Sequence, residues 1–326
     1  MDLKDQVLET LERNKGRFVS GNELAVALYV SRNAVWKAVK ALKSEGHDIQ
    51  AVTNKGYRLA PESDILSKAG IDKHLGPLAG MLSIEVLKTV DSTNTAVKAR
   101  AVRGAPEGTV VAAEEQTGGK GRRGRSFYSP AGTGVYFSIL LRPNVKAFDA
   151  TLITTAAAVA AAVSIEAVTG VKAEIKWVND VFCHGKKVCG ILTEGAFDME
   201  SGGLEYAVLG IGVNIKKPEG GYPPEIAGVA GAVYKNGEPE PETRGRLIAE
   251  ILKRFWAYYR NLTGKGFLPE YKARSLVIGR DVDVISGDLP RKAKALDIDD
   301  GCRLVVRYED GSTEALSSGE VSIRPR

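Results

Sequence analysis

The stretch Gly118-Gly119-Lys120-Gly121-Arg122-Arg123-Gly124-Arg125 puts four glycines and four cations into eight positions. Glycine in a helix or strand interior costs roughly 0.5–1 kcal/mol, so this segment is a loop wherever it falls. Glycine also lets a backbone approach a ligand closely, and consecutive N–H groups form an anion-binding concavity to which Arg adds charged forks. Gly119-x-Gly121-x-x-Gly124 matches a dinucleotide-binding fingerprint, but that motif needs a helix opening at the loop with its N-terminus on the pyrophosphate. Arg125 to Gly134 contains Pro130, Gly132 and Gly134 and cannot make that helix. The loop reads instead as a flexible clamp for phosphate or another anion.

The rest of the chain decides what is clamped. Its 326 residues exceed one comfortable core and predict two or three domains. A net charge of +5 allows a nucleic-acid patch without requiring one. Cys183, Cys189 and Cys302 are spaced for neither a disulfide framework nor a zinc site, which points to reduced thiols in a cytoplasmic protein. His47, His74 and His184 are scattered, against a His-based metal centre. No signal peptide is expected at Met1-Asp2-Leu3-Lys4-Asp5. The uncharged run Ala150 to Ile165, stopped by Glu166, reads as too short and polar to span a membrane.

Residues 1–62 predict a winged helix-turn-helix. Val7, Leu8 and Leu11 form one face of an opening helix, and Ser20-Gly21-Asn22-Glu23 has the capping-box pattern. Ser31 caps a second helix that carries Val35, Val39 and Leu42 inward. Ser31, Arg32, Asn33, Trp36, Lys37 and Lys40 are then the DNA-facing candidates, those at the helix start being placed to reach bases. Thr53-Asn54-Lys55-Gly56 is the tip of a hairpin wing, with Lys55 on its end. A solvated basic helix in a protein-interaction domain is the plainer alternative. One such module reads a half-site, so DNA would be bound by a homodimer. Pro61 to Asp64 marks a linker or a new helix start, and Ile65 to Leu82 reads as a connecting segment.

Residues 63–272 read as a mixed α/β domain. Ser92, Thr93 and Asn94 stand at a strand-to-helix junction, as caps or as hydrogen-bonding groups for a neutral polar ligand. Ile175 to Val181 leads into a hairpin, and Lys187 starts the next strand. Gly210 and Gly212 fall on one face of the apolar strand Ala207–Ile215, leaving room there for a flat ligand. Thr243 to Leu262 predicts a long amphipathic helix. Residues 273–326 carry short strands with turns at Ser286–Asp288, Asp299–Gly301 and Glu309–Gly311, which suggests a small barrel.

Asp91-Ser92-Thr93-Asn94, the Gly-Arg loop, Lys176-Trp177-Val178-Asn179-Asp180, Lys187-x-x-Gly190-Ile191-Leu192 and Gly210-Ile211-Gly212-Val213-Asn214 occur in the order found in the biotin–protein ligases. With the winged helix in front, the whole chain resembles the bifunctional bacterial type that also represses biotin genes. The resemblance implies an α+β chain ending in an SH3-like barrel, and a reaction in which biotin and MgATP give biotinyl-AMP. A lysine of the biotin carboxyl carrier protein of acetyl-CoA carboxylase then takes the biotinyl group. Biotinyl-AMP would also promote homodimerisation and operator binding.

Carried over by position, Ser92, Thr93, Asn94 and Gln116 would hold the ureido head, with Lys120, Gly121, Gly190, Gly210 and Gly212 completing the biotin site. Lys187, Arg122 and Lys176 would be catalytic, Lys187 beside the reacting carboxylate and α-phosphate. Arg123, Arg125, Phe127, Asn179, Asn214 and Arg324 would join them around ATP and the adenylate, with Mg²⁺ near Asn179. Three positions depart from the family pattern: Lys120 for Arg, which loses a bidentate fork, Val178 for Pro, and Phe127 for a Trp that packs near adenine. Arg324 reads equally as a solvated tail charge. The competing functions are a non-catalytic winged-helix ligand sensor, a lipoate ligase, and a dinucleotide-sensing regulator.

Overall fold

The computed structural model describes residues 2–143, 150–197, 203–285, 290–317 and 319–323. The turn expected at Ser286–Asp288 lies outside them.

The N-terminal unit consists of α1 (Leu3–Arg13), α2 (Gly21–Ala27), α3 (Arg32–Ser44) and the hairpin β1 (Ile49–Val52)–β2 (Gly56–Leu59). Its caps are those the sequence predicts. Ser20 accepts from Glu23 N at 3.0 Å while Glu23 accepts from Ser20 N at 2.7 Å, and Ser31 accepts from Ala34 N at 3.1 Å. Each cap is worth about 1 kcal/mol. Val7, Leu11, Leu24, Val35, Val39, Leu42, Ile49 and Leu59 fill a separate small core. Gly56 is needed where it stands: its φ is +101°, and a Cβ there would meet the Val19 carbonyl oxygen at 2.2 Å.

The segment expected to be a plain connector contains a helix, α4 (Lys68–Leu75), capped by Ser67. Its apolar residues Ile71 and Leu75 are fully buried, and it packs on α8 (Thr243–Tyr259). The pattern is too short to declare itself without that partner.

The central sheet has seven strands: β3 (Ser83–Val90), β4 (Thr109–Gln116), β5 (Gly134–Leu141), β6 (Glu174–Lys176), β7 (Asp180–Cys183), β8 (Lys186–Phe197) and β9 (Leu204–Asn214). Their order is β3-β4-β5-β9-β8-β7-β6; β3 and β4 are parallel and every other neighbouring pair is antiparallel. One face, with Phe137, Ile139, Ile191, Leu209, Ile211 and Val213, packs on α8 and on α6 (Ala150–Thr169). The other face receives α5 (Thr93–Val102) through Val97, Ala101, Val111, Leu140 and Val208. Strand side chains alternate faces. Ser138, Gly190, Leu192, Glu194, Gly210 and Gly212 therefore share the α5 side, and this alternation gathers the site.

Residues Thr151–Thr169 are long and apolar enough, by length and composition, to cross a membrane, but 72% of the segment is buried inside the protein. This corrects the expectation of a stretch too short to span. Packing between sheet and α8 accounts for its apolarity.

The C-terminal unit is a five-stranded antiparallel sheet of β10 (Asp281–Ile285), β11 (Arg291–Ile298), β12 (Leu304–Tyr308), β13 (Thr313–Leu316) and β14 (Glu320–Ile323). Its buried Val284, Ala295, Leu304 and Val306 join the central core. Trp177 Nε1 donates across the junction to the Cys302 carbonyl at 3.0 Å. Gly319 and Glu320 are placed beside the central sheet's loop by the pairing of β14 with β10 and by contacts with Arg122 and Arg125.

Candidate functional site

At the head of α5, Ser92, Thr93 and Asn94 are all buried. Ser92 occupies the N-cap position, yet its side chain makes no capping hydrogen bond. Capping therefore does not explain the serine. Gln116 Oε1 accepts from Thr93 N at 2.9 Å and Thr93 Oγ1 at 3.1 Å, and Gln116 Nε2 donates to Ser129 Oγ at 2.9 Å. Ser138 Oγ lies 2.7 Å from Thr93 Oγ1 and 2.6 Å from Asn94 Oδ1, and Asn94 Nδ2 donates to Glu194 at 2.7 Å. The result is a fixed polar pocket suited to a small neutral ligand.

The open space expected over the paired glycines is largely filled. A Cβ on Gly210 would stand 2.0 Å from Asn94 Oδ1, and one on Gly212 would stand 2.5 Å from Phe127 Cε1. Phe127 also lies 3.0 Å from the Cβ position of Gly190. The phenylalanine expected near adenine is thus lodged over these two glycines, and only about 20 Å³ of cavity remains beside Ser92, Gln116 and Gly212.

A larger cavity of about 330 Å³ adjoins it, lined by loop, hairpin and C-terminal strand. The loop leaves β4 at Gln116, and its short turn at Arg122–Gly124 has Arg123 at φ 54°. Gly121 N bonds Arg125 O at 2.7 Å, and Phe127 N bonds Gly119 O at 2.8 Å. Lys120 Nζ donates to Thr95 Oγ1 at 2.9 Å. Arg122 donates to Asn179 Oδ1 at 2.9 Å and to the Gly319 carbonyl at 3.2 Å. Arg125 forms a two-pronged pair with Glu320 at 2.9 and 2.8 Å.

Lys187 pairs with Asp180 at 2.7 Å across the β7–β8 hairpin. Burial pulls Lys176 below its ordinary pKa against the opposing pull of Asp180 and Glu320, and burial likewise lowers Arg122. Asn214, at the end of β9, lines the cavity and donates to the Gly231 carbonyl at 3.1 Å. Six cations with three carboxylates among them, Asp180, Glu225 and Glu320, suit a polyanion.

The structure therefore gathers Ser92, Thr93, Asn94, Gln116, Lys120, Phe127, Gly190, Gly210 and Gly212 at one pocket. Gly121, Arg122, Arg123, Arg125, Lys176, Asn179, Lys187 and Asn214 line the adjoining cavity, to which Lys120, Phe127 and Gly190 also belong. Arg324 lies outside the described residues. Ser138, Glu194 and Glu320 are further site residues to which sequence reasoning assigned no role, and Asp180, named there only as part of a motif, pairs with Lys187. A serine inside the otherwise apolar strand Gly134–Leu141 was the legible signal for the first.

Some 30 residues along the chain from Ser63, in the winged unit, Arg32, Asn33, Lys37 and Lys40 are exposed on α3, with Trp36 half exposed and Lys40 Nζ 5.4 Å from its ring centroid. Lys55 is exposed at the wing tip, 5.9 Å from the Phe18 ring. Ser31 is spent on its cap. The basic side chains share one helix and one hairpin without mutual burial, as contact with a phosphate backbone requires.

Residues 86–214 match the Biotin/lipoate A/B protein ligase family, residues 4–58 an HTH domain, and residues 277–324 the Biotin protein ligase C terminal domain. The chain is 32% identical to the bifunctional ligase/repressor BirA of Bacillus subtilis, covering 97% of each. It is 28% identical to that of Escherichia coli over 95% of this chain and 94% of the relative. The biotin protein ligase from Aquifex aeolicus, solved with biotin and ATP, superposes with a TM-score of 0.62 at 28% identity, covering 75% of this chain and 99% of that one.

Proposed function

The chain belongs to the bifunctional biotin–protein ligase and repressor family, and on that premise we propose that it activates biotin with ATP and passes it to a carrier-protein lysine. We propose too that it represses biotin genes as a biotinyl-AMP-bound homodimer on operator DNA. The observation that carries the reading is the contiguity of two pockets, a neutral hydrogen-bonding one and a cationic one, meeting at Lys120, Phe127 and Gly190.

In the first step biotin's carboxylate oxygen attacks the α-phosphorus of ATP, and the bond to the bridging oxygen breaks to release pyrophosphate. Thr93, Asn94 and Gln116 hold the ureido head, and Ser92 contributes its uncommitted hydroxyl. Lys187 leaves Asp180 for the carboxylate and the α-phosphate oxygens, where charge builds. Arg122 and Lys176 act on the same oxygens and the leaving pyrophosphate, and Arg123 and Arg125 on the phosphates nearer the mouth. Preorganised cations aimed at developing charge are each worth about 3 kcal/mol, or a hundredfold or more in rate. In the second step the acceptor lysine attacks the anhydride carbonyl and AMP leaves.

Among the described residues no cluster of three or more His, Cys, Asp or Glu is placed to hold a metal. That donor set fits Mg²⁺ arriving on the nucleotide, which keeps several waters and needs only one or two carboxylates. Asp180, with Asn179 beside it, would hold it there. The bound ion would neutralise charge on the phosphates. The reactions belong to the cytoplasm, where ATP and operator are found together.

Mixing the protein with biotin, MgATP and a biotin carboxyl carrier domain tests the ligase. No transfer under conditions where a control ligase works refutes it. Deleting residues 1–59 should abolish operator binding; persistence of that binding refutes the DNA-binding assignment.

A further inference from the structure

Glu320 opens β14, and its carboxylate meets Arg125 through two parallel hydrogen bonds of 2.9 and 2.8 Å. This is the fork that Arg makes with phosphate. Arg123 Nη1 is 4.0 Å from the same carboxylate. Glu320 also lines the large cavity together with Lys176. One residue earlier, the Gly319 carbonyl accepts from Arg122 at 3.2 Å. The cationic end of the loop is thus fastened to the C-terminal sheet by an acid from 195 residues away.

Nothing in the packing of β14 requires that acid. The strand is held by Val321, fully buried, and by its backbone pairing with β10. The Glu320 side chain is about 28% exposed and faces the cavity.

We propose that Glu320 is an internal stand-in for the polyphosphate of ATP: it keeps Arg123 and Arg125 aimed at the cavity while nucleotide is absent and surrenders them when phosphate enters. It is a positioning residue, acting through the arginines. The proposal rests on the ATP-dependent reading above and names a residue that this reading does not use.

Two consequences run in opposite directions for most structural roles but together here. The carboxylate competes with phosphate, so removing its charge strengthens polyphosphate binding. It also ties the loop down, so removing its charge loosens the loop in the nucleotide-free protein. Arg125 holds the carboxyl below its ordinary pKa, so it is charged and competing at neutral pH.

The test is Glu320→Gln, which keeps shape and removes charge. Titrating the full-length protein with inorganic tripolyphosphate should show Kd lower by about 3- to 10-fold, with KM for ATP falling and kcat not rising. Without nucleotide, trypsin should cut at Arg122, Arg123 and Arg125 several-fold faster than in wild type. Weaker or unchanged tripolyphosphate binding, or unchanged cleavage, overturns the proposal. Arg125→Gln separates the two effects: it should speed cleavage without tightening tripolyphosphate, and tightening there also overturns it. Because cleavage is read without ATP or biotin, it fails independently of the ligase assignment, which falls only if wild type shows no biotin- and ATP-dependent transfer.

Discussion

Arg244 is the most heavily committed charge among the described residues. Its side chain is 4% exposed, and it donates to Asp64 at 2.7 Å, to Glu114 at 2.6 and 3.3 Å, and also to the Asp64 carbonyl. Burial alone would lower its pKa, but Glu114 and then Asp64 more than offset that and raise it. Truncation to Met leaves Glu114, itself 16% exposed, with the Leu66 amide at 2.5 Å as its remaining close partner. Breaking one side of a buried pair costs about 3–5 kcal/mol, whereas replacing both sides with neutral groups is often close to harmless. Arg244→Met should therefore lower unfolding free energy by about 3–5 kcal/mol, and Arg244→Met with Glu114→Gln should cost less than the single change. Urea unfolding followed by far-UV circular dichroism measures both. Asp64 lies in the linker after the winged unit, so the single variant should also be cut faster by protease between residues 61 and 66. A single-variant loss below about 1 kcal/mol, or a double-variant loss equal to the sum of the two single ones, refutes the reasoning.

Lys187→Ala should slow biotin-dependent pyrophosphate release by a hundredfold or more, measured by a coupled phosphate assay, with circular dichroism unchanged. Arg122→Ala should speed release of biotinyl-AMP from the preformed complex, measured by filter binding; unchanged release removes the clamp role. Lys176 gives a pH signature. Its pKa is lowered by burial, so it loses its charge below the ordinary lysine range as pH rises. KM for ATP should then climb through that lowered value, and Lys176→Arg should flatten the alkaline limb. Persistence of the limb in Lys176→Arg assigns it to another group.

Local chemistry made the winged unit legible, because Ser20, Glu23 and Ser31 announce their helices within three residues. The loop was legible as an irregular, cationic segment for the same reason. Its partners were not, since Arg122 reaches Gly319 and Arg125 reaches Glu320 across more than 190 residues. Ordered motifs supplied through family resemblance brought Lys187 and Gln116 to the site, but motif order carries no information about which side chain fills a gap. Ser138 and Glu194 were missed because strand parity matters only once β5, β8 and β9 are adjacent. Helix α4 was missed because Ile71 and Leu75 acquire meaning only against α8.

The three glycines at the pocket illustrate that limit and lead to a coupling. Gly210 makes way for Asn94, which Ser138 and Glu194 fix in place, so its missing side chain is permanently spent. Gly190 and Gly212 make way for Phe127, which belongs to the segment following the loop and is held by the Gly119 carbonyl and an edge-on contact with Tyr136 at 6.4 Å. The space left, about 20 Å³, is close to what one water needs, so a fused-ring ureido head enters only when Phe127 withdraws. The segment Lys120–Phe127 is therefore held at Phe127 by a ring lodged in the proposed biotin pocket and at Arg123 and Arg125 by Glu320 in the cationic cavity. On the proposed reading, biotin would displace the first restraint and polyphosphate the second. A ligand that frees one restraint has already met part of the cost of freeing the other, so each substrate should improve the binding of its partner by the same factor. That reciprocity requires biotin and ATP to bind synergistically even though they touch largely different residues.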